Sequence, residues 1–532
     1  MHALTVFIGL LALVTALAAV AERVKIASPI VLVLAGTAIS LVPGIRVVGL
    51  QPEVVMLVFL PPLIYAAAWN TSWADFKANF RPIFLLAFGL VIFTTAGVAW
   101  VAHSLIPGFS WPLAFIVGAT VSTTDPIAGT AIIRQMGLPR RLIVILEGES
   151  LVNDGTGLIV YRYAVAAVTT GQFVLLQAGE EFVISVIGGV AIGLALAWVV
   201  RYIHRLTAGV SAVETTLSLL TPFAAYLLAE RVEVSGVLAV LASGLYLTLR
   251  SSEYMSRRGH LETLGVWNVM TFMLNSTVFV LMGLQLRRLL TDNRDYTFGT
   301  LIVYGSLVSL AVIATRFIWV FVVYYVPRLF RPSLRSSNRT LSLKLVTVLA
   351  FTGMRGVLSL ATALALPLTL GSGAPFPKRD LIIFLAYCVI FVTLVIQGTA
   401  LPYLIRLMAI KPDQREEQEE LRLRIQLATR AIEHLEANYS LSDEVSDEAL
   451  AMLKHKYEAR IDRLRVRQGG KKRASVNESE LRETRRIQLE IIQLERDEAT
   501  RLRRAGQHDD EVLRAVLFEL DLEEGRLELE EG

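Results

Sequence analysis

The chain has 532 residues, of which 54% are hydrophobic and 18% are charged, and its formal net charge is +4. Soluble domains are roughly 45–50% apolar and about 25% charged, so a fold that is water-soluble throughout is excluded. The single cysteine excludes a disulfide framework. The seven histidines show neither an HExxH motif nor the paired spacing of a metal site.

The composition changes sharply near residue 410. Residues 1–410 are long apolar runs separated by short polar loops, whereas residues 411–532 are dense in Glu, Arg, Leu and Gln. Pro412 discourages any continuation of the preceding helix at this boundary. We therefore predict an all-α polytopic membrane domain over 1–410 and a charged, cytoplasmic helical domain over 411–532.

Thirteen apolar segments are candidates for membrane-spanning helices, which need about 20 mostly apolar residues each. They lie at 4–21, 28–43, 54–69, 82–106, 112–136, 141–169, 181–200, 213–230, 234–249, 268–286, 299–326, 343–366 and 381–410. The first ends in Ala19-Val20-Ala21, as a cleaved signal peptide would. However, no basic residue precedes it, which favours a retained span.

The loops predict the orientation of these spans. Lys and Arg are more than twice as frequent in the alternate loops that begin after the first span as in the opposite set. The positive-inside rule then places the N-terminus outside and the charged tail in the cytoplasm of a cell that carries this protein in its plasma or inner membrane. The basic residues are thereby explained by membrane lipid, and we expect no nucleic-acid partner.

The fifth span contains Thr123-Thr124-Asp125-Pro126. Proline removes a backbone donor and should interrupt the helix near Asp125. Such a break is tolerated in a membrane only beside protein or a water-filled cavity. Its hydroxyls, its carboxylate and the freed carbonyls are hard oxygen donors that suit a small alkali cation. The alternative is a simple proline kink in which Asp125 caps a half-helix.

The sixth span carries three carboxylates in eight residues: Glu147, Glu149 and Asp154. Ionisable groups inside a span are costly and usually mark function. Ser150 lies four residues before Asp154 and shares its helix face, whereas Glu149 points elsewhere. One carboxylate can then be structural while the other faces a pathway. The alternative is a loop that dips between two shorter helices.

The twelfth span contains Gly353-Met354-Arg355-Gly356, which suggests a second interruption. Arg355 keeps its proton and needs a partner, for which Glu149 and Asp125 are available. The alternative is an arginine that reaches the membrane surface. If spans 1–6 and 8–13 form two inverted six-helix repeats, the interruptions correspond, which is typical of a transporter site.

These motifs resemble those of the sodium/proton exchangers in the cation/proton antiporter group, particularly the bacterial and plant members. The resemblance rests on segments that occur in order along the membrane part: Phe59-Leu60-Pro61-Pro62-Leu63-Ile64, Thr124-Asp125-Pro126, Glu149-Ser150-Leu151-Val152-Asn153-Asp154, Ser235-Gly236-Val237-Leu238 and Gly353-Met354-Arg355-Gly356.

The resemblance implies an antiporter rather than an enzyme, with Na⁺ and H⁺ as transported ions and no cofactor. Asp154 would hold the cation and the proton in turn, and Ser150 and Thr124, helped by Asp125, would complete the Na⁺ site. Asn153 before Asp154 resembles the electroneutral branch. A Glu149–Arg355 ion pair would hold the core of a homodimer whose ion-binding bundle moves like an elevator. Several relatives carry an acid where this chain has Ala66.

Other functions are less well matched. A K⁺/H⁺ or mixed Na⁺/K⁺ antiporter of the same fold stays open, as does transport of Li⁺. A cation channel would need a repeated filter sequence, and an intramembrane aspartyl protease would need Gly-x-Gly-Asp. In the tail, an apolar seam of Leu421, Ile425, Ala428, Ile432 and Leu435 predicts either a regulatory or dimerising module with its own ligand or partner, or a solvated hairpin.

Overall fold

A computed structural model provides the structure of the protein. It describes the chain except for residues 1, 25, 44–51, 171–174, 208, 331–341, 371–372, 411–414, 440–446, 468–477, 505–515, 517–519, 521, 526 and 528–532. By its contacts the chain divides into two compact units, Met1–Pro412 and Asp413–Gly532. Within the described residues, the regular structure is helical, and one isolated β-bridge joins Thr369 to Pro375.

The first unit contains helices throughout its length. They are α1 (His2–Val24), α2 (Ser28–Ser40), α3 (Pro52–Val54), α4 (Leu60–Trp69), α5 (Trp73–Ala78), α6 (Phe80–Phe84), α7 (Val91–Leu105), α8 (Trp111–Ser122), α9 (Ile127–Gln135), α10 (Arg140–Thr170), α11 (Leu175–Leu206), α12 (Ser211–Arg231), α13 (Gly236–Leu249), α14 (Ser251–Tyr254), α15 (Arg257–Leu284), α16 (Leu286–Asp292), α17 (Phe298–Phe330), α18 (Leu343–Phe351), α19 (Val357–Leu364), α20 (Arg379–Phe391) and α21 (Gly398–Leu407). Wider π-helical turns occupy Val55–Phe59, Leu85–Leu90 and Val392–Gln397.

Each of the thirteen predicted segments overlaps helical structure, and the segments 112–136 and 343–366 are each interrupted by a non-helical stretch. By length and composition, seven helical stretches in the described residues can cross a membrane: Phe80–Leu105, Trp111–Gln135, Gly179–Leu206, Ser211–Arg231, Arg258–Asp292, Phe298–Val326 and Arg379–Leu407. Three shorter apolar helices lie at Ser28–Ser40, Val55–Trp69 and Gly236–Leu249. The carboxylate-bearing α10 is not among the seven.

Small residues allow the membrane helices to pack closely. Helices α2 and α15 meet at Gly36 and Gly283, where a Cβ on either glycine would overlap the backbone of the other helix. Lipid is as apolar as the side chains, so close van der Waals packing of this kind drives helix association in a membrane. The same principle brings α8 against α7, where Gly118 rests on the backbone of Thr95.

The helices that carry the two interrupted segments and the carboxylates of the sixth predicted span lie around α8. Helix α10 packs along α8, and α19 and α20 contact it from other directions. Helix α17 contacts α7, α18 and α20. This arrangement brings the interruption between α8 and α9 and the interruption between α18 and α19 into the interior of the unit.

The second unit contains α22 (Arg415–Tyr439), α23 (Asp447–Arg467) and α24 (Glu478–Arg504), and α22 packs on α23. Leu421 and Ala428 on the predicted seam are buried, as are Ile461 and Leu464 of α23. On the described part of α24 the buried side chains are Ile492 and Ala499, whereas several apolar neighbours are exposed: Ile487, Ile491 and Leu494.

Candidate functional site

The chain is not helical between α8 and α9. Thr123 adopts an extended conformation, and Pro126 precedes the first residue of α9. The Asp125 backbone N–H donates to the carbonyl oxygen of Met354 at 2.9 Å, and its carboxylate accepts from the Ile127 N–H at 2.9 Å. The break therefore exposes polar backbone groups in the interior, and part of them bond to the other interrupted helix.

The second break spans Thr352–Gly356, between α18 and α19. A Cβ on Gly356 would overlap the Asp125 carboxylate, and a Cβ on Gly353 would overlap the Arg316 side chain. Glycine is thus required at both positions by the close approach of a charged group. The Thr123 and Ser359 hydroxyls, 3.1 Å apart, add a further link between the two breaks.

Arg355 lies where two half-helices end. Its Nε donates to the carbonyl of Val121 in α8 at 2.7 Å, and its Nη1 donates to the carbonyl of Gly353, just beyond α18, at 2.6 Å. Asp125 occupies the opposite position, beside the beginnings of α9 and α19. Helix ends carry partial charges, negative at the C-terminus and positive at the N-terminus. The two side chains therefore balance the four half-helix ends.

The expected Glu149–Arg355 ion pair is wrong. Glu149 pairs with Arg316 of α17, whose Nη1 and Nη2 reach the two carboxylate oxygens at 2.5 and 3.0 Å. The Glu149 side chain is 0% exposed and that of Arg316 is 1% exposed. The physical reason is that the Arg355 guanidinium is directed at main-chain carbonyls. Arg316 had a signal in the sequence, because it is a lone charge within the apolar run 299–326.

A hydrogen-bonded chain connects this ion pair to the first break. The Thr124 hydroxyl donates to Glu149 at 3.0 Å and accepts from the Asn153 amide at 2.7 Å. The Ser150 hydroxyl donates to the Thr124 carbonyl at 2.8 Å. All four of these side chains are buried, and the Asn153 amide oxygen has no hydrogen-bond partner in the described part of the chain.

Asp154 lies one helical turn after Ser150 and is half-buried. Among the residues that the structure describes, none donates a hydrogen bond to its carboxylate. Asp125 is also half-buried, and the two carboxylates are close enough for their charges to interact. Ala66 is buried in α4 and supplies no acid. The described residues thus leave the Asp154 carboxylate without a hydrogen-bond donor, one helical turn from the Ser150 hydroxyl, which the Thr124 carbonyl holds in place.

Two interrupted helices in contact inside a helical membrane unit, with a carboxylate to which none of the described residues donates, are typical of an ion-coupled secondary transporter rather than an enzyme. The comparison with protein families makes this specific. Residues 9–407 match the model of the sodium/hydrogen exchanger transmembrane family, and the chain belongs to that family. The family predicted from the sequence motifs is therefore confirmed.

Several curated proteins are similar over most of the chain. An uncharacterised Na⁺/H⁺ exchanger of Mycobacterium tuberculosis is 35% identical, and the alignment covers 98% of this chain and 96% of the relative. A sodium, potassium, lithium and rubidium/H⁺ antiporter of Bacillus pumilus is 33% identical over 71% of this chain and 57% of its own. A Na⁺/H⁺ antiporter of Aphanothece halophytica is 32% identical over 77% and 75% of the two chains.

Among solved structures, the sodium proton antiporter MjNhaP1 of Methanocaldococcus jannaschii has the same fold. The TM-score is 0.58 at 19% sequence identity, and the match covers 75% of this chain and 99% of that one.

Proposed function

We propose that this protein exchanges Na⁺, and also Li⁺, for protons across the cell membrane by alternating access. The observation that carries the proposal is Asp154, a carboxylate that the described residues leave without a hydrogen-bond donor. It lies one helical turn after Ser150, a member of the buried hydrogen-bond network, and on α10, which packs along α8. A cation and a proton would compete for this one group.

The Na⁺ site would be formed by Asp154 with the oxygens of Ser150 and Thr124. The Ser150 hydroxyl donates its hydrogen bond to the Thr124 carbonyl, so the lone pairs of its oxygen remain available to a cation. Asp125 contributes negative charge from the crossing. Asn153 supports the site in two ways, because its amide nitrogen holds Thr124 while its amide oxygen has no partner in the described part of the chain.

The coupling follows from the cost of moving charge through a region of low dielectric. Moving an empty, ionised Asp154 through an occluded passage has a high desolvation free energy, because the charge loses its water. That free energy is much lower when the carboxylate holds Na⁺ or a proton. The site therefore crosses only when it is loaded, so that inward movement of one ion is tied to outward movement of the other.

A K⁺/H⁺ or mixed Na⁺/K⁺ antiporter is the second candidate. It is favoured by the Bacillus pumilus relative, whose name assigns it sodium, potassium, lithium and rubidium. The oxygen donors around Asp154 suit any of these alkali ions, and the size of the cavity would decide among them.

For the whole chain we propose thirteen spans arranged as two inverted six-helix repeats joined by the seventh. The N-terminus would lie outside and residues 411–532 in the cytoplasm, where the tail would bind a regulatory ligand or partner. The contacts between the two breaks support related half-helices in the two repeats. We also propose a homodimer in the plasma or inner membrane.

The test is transport by the reconstituted protein in liposomes that contain a trapped pH dye. We expect Na⁺ or Li⁺ to collapse an imposed pH gradient, and Asp154→Asn to abolish the response. Asp75→Asn is the matched control, because that carboxylate is exposed and pairs with Arg140 at 3.3 Å, away from the site. A response to K⁺ alone would keep the mechanism and change the substrate. Absence of any cation-dependent proton movement in well-folded protein would refute the proposal.

A further inference from the structure

Tyr161 is a buried side chain that the mechanism above does not use. It is 6% exposed, and its hydroxyl has no hydrogen-bond partner within the described part of the chain. A buried hydroxyl without a partner costs free energy, so the position needs an explanation. Tyr161 lies on α10, seven residues after Asp154.

The helical geometry places Tyr161 on the face of the candidate site. At 3.6 residues per turn, seven residues bring it back to about 20° from Asp154 and roughly 10 Å further along the helix axis. Leu158 lies between them on the same face and is 7% exposed. A path that leaves Asp154 along this face towards the C-terminal end of α10 therefore meets Leu158 and then the tyrosine ring.

Helix α19 contacts α10. It begins after Gly356, beside Asp125, and its last turn is held by Arg379. The Arg379 guanidinium donates to the carbonyls of Leu364 and Leu366 at 2.9 and 3.0 Å. Its charge lies within electrostatic range of Tyr161. One short half-helix thus connects the candidate site to the surroundings of Tyr161.

We propose that Tyr161 is the gate residue that closes the outer end of the ion pathway, and that Arg379 holds α19 in the closed arrangement. This inference rests on the proposed function. The ring excludes water from the face of Leu158, and the neighbouring positive charge opposes entry of a cation. When the gate opens, water reaches the unpartnered hydroxyl, which offsets part of the cost of moving the ring.

The test measures access to the pathway and not transport. Cys388, the only cysteine of the chain, is replaced by serine, and Leu158→Cys is introduced as the reporter. A membrane-impermeant thiol reagent is then applied to one face of the membrane at a time. Labelling of a Thr169→Cys variant identifies the face at which α10 ends, because Thr169 is exposed.

We expect Tyr161→Ala to accelerate labelling of the reporter at least tenfold from that face and to leave labelling from the other face unchanged. Tyr161→Phe keeps the ring and should label as slowly as the parent. Tyr163→Ala is the matched control, because Tyr163 lies on the opposite side of α10 and donates to Glu181 at 2.8 Å.

Equal labelling rates in the parent and Tyr161→Ala would overturn the gate, as would the same acceleration in Tyr163→Ala. A reporter that reacts only after denaturation in every variant would overturn it as well. The two proposals fail separately, because labelling requires no exchange. Loss of the cation response in liposomes with normal labelling behaviour would refute the exchanger, and normal exchange with unchanged labelling would refute only the gate.

Discussion

The buried Glu149–Arg316 ion pair allows a quantitative prediction of how much stability is lost when one partner is removed. Removing one partner of a buried ion pair costs about 3–5 kcal/mol, because the other charge stays buried without compensation. Surface pairs contribute only about 0–1 kcal/mol, but here both side chains are at most 1% exposed and the contact is bidentate. Arg316 also donates to the carbonyl of Leu349 at 3.3 Å. Arg316→Gln should therefore lose stability at the upper part of that range.

The assay is the melting temperature of the detergent-solubilised protein, followed by the loss of monodisperse material on heating. At roughly 2 °C per kcal/mol for a large domain, Glu149→Gln should lower the melting temperature by about 6–10 °C and Arg316→Gln by about 8–10 °C. The double variant of Glu149 and Arg316 removes both charges, so its loss of stability should be smaller than the sum of the two single losses by about 2–3 kcal/mol. A double-mutant cycle between Glu149 and Arg355 should give a coupling energy of less than about 1 kcal/mol, because Arg355 bonds to main-chain carbonyls.

A coupling energy of Glu149 with Arg355 that equals or exceeds that with Arg316 would contradict Arg316 as the stabilising partner. Melting of both single variants within about 2 °C of the parent would also contradict it, since that is the behaviour of a solvated pair.

Three further predictions concern the site. Gly356→Ala should cost about 1–3 kcal/mol of stability and suppress exchange, because a methyl group there overlaps the Asp125 carboxylate. In the same melting assay, the control Gly265→Ala has open space around it and should be neutral or stabilising by up to about 1 kcal/mol. Ser150→Ala removes the bond to the Thr124 carbonyl and should raise the KM for Na⁺ roughly fivefold, for about 1 kcal/mol, while kcat falls less. Lowering the pH on the Na⁺ side should raise the apparent KM for Na⁺ without lowering the rate at saturating Na⁺, because protons then occupy the Asp154 carboxylate. A maximal rate that falls while KM stays constant would contradict competition between Na⁺ and protons.

The helices of the membrane unit could be located from the sequence because each contains a long apolar run. The prediction of 141–169 differs from α10 (Arg140–Thr170) by one residue at each end. The prediction of 268–286 begins eleven residues after the first residue of α15, Arg257. The early turns of α15 are polar, and they are capped by the Ser256 hydroxyl, which accepts from the Gly259 N–H at 3.0 Å. An apolar run therefore predicts only the part of α15 that is apolar, and it misses the polar turns before that part.

The candidate site was only partly predictable, for a similar reason. The two breaks have local causes, a proline after Asp125 and glycines beside Arg355, so the sequence indicates them directly. The partner of Glu149 has no local cause. Arg316 and Arg355 both lie in apolar segments, and the choice between them depends on which guanidinium faces the carboxylate after the helices pack. Tyr161 carries no signal in the sequence, because a tyrosine in an apolar span is ordinary, and only the described structure shows that its hydroxyl has no partner there.

The balance of charges at the crossing has a consequence for the electrical behaviour of the protein. Among the described residues there, Glu149 is matched by Arg316, and Asp125 and Arg355 offset each other through the half-helix ends. In the proposed mechanism, Asp154 contributes the one charge that changes when an ion binds. Moving an elementary charge across a membrane involves about 2.3 kcal/mol per 100 mV. A site that held one alkali ion or one proton would be neutral, so voltage would do no work on it in either direction. Under that mechanism, a cell could lose its membrane potential and still drive the exchange with ion gradients alone.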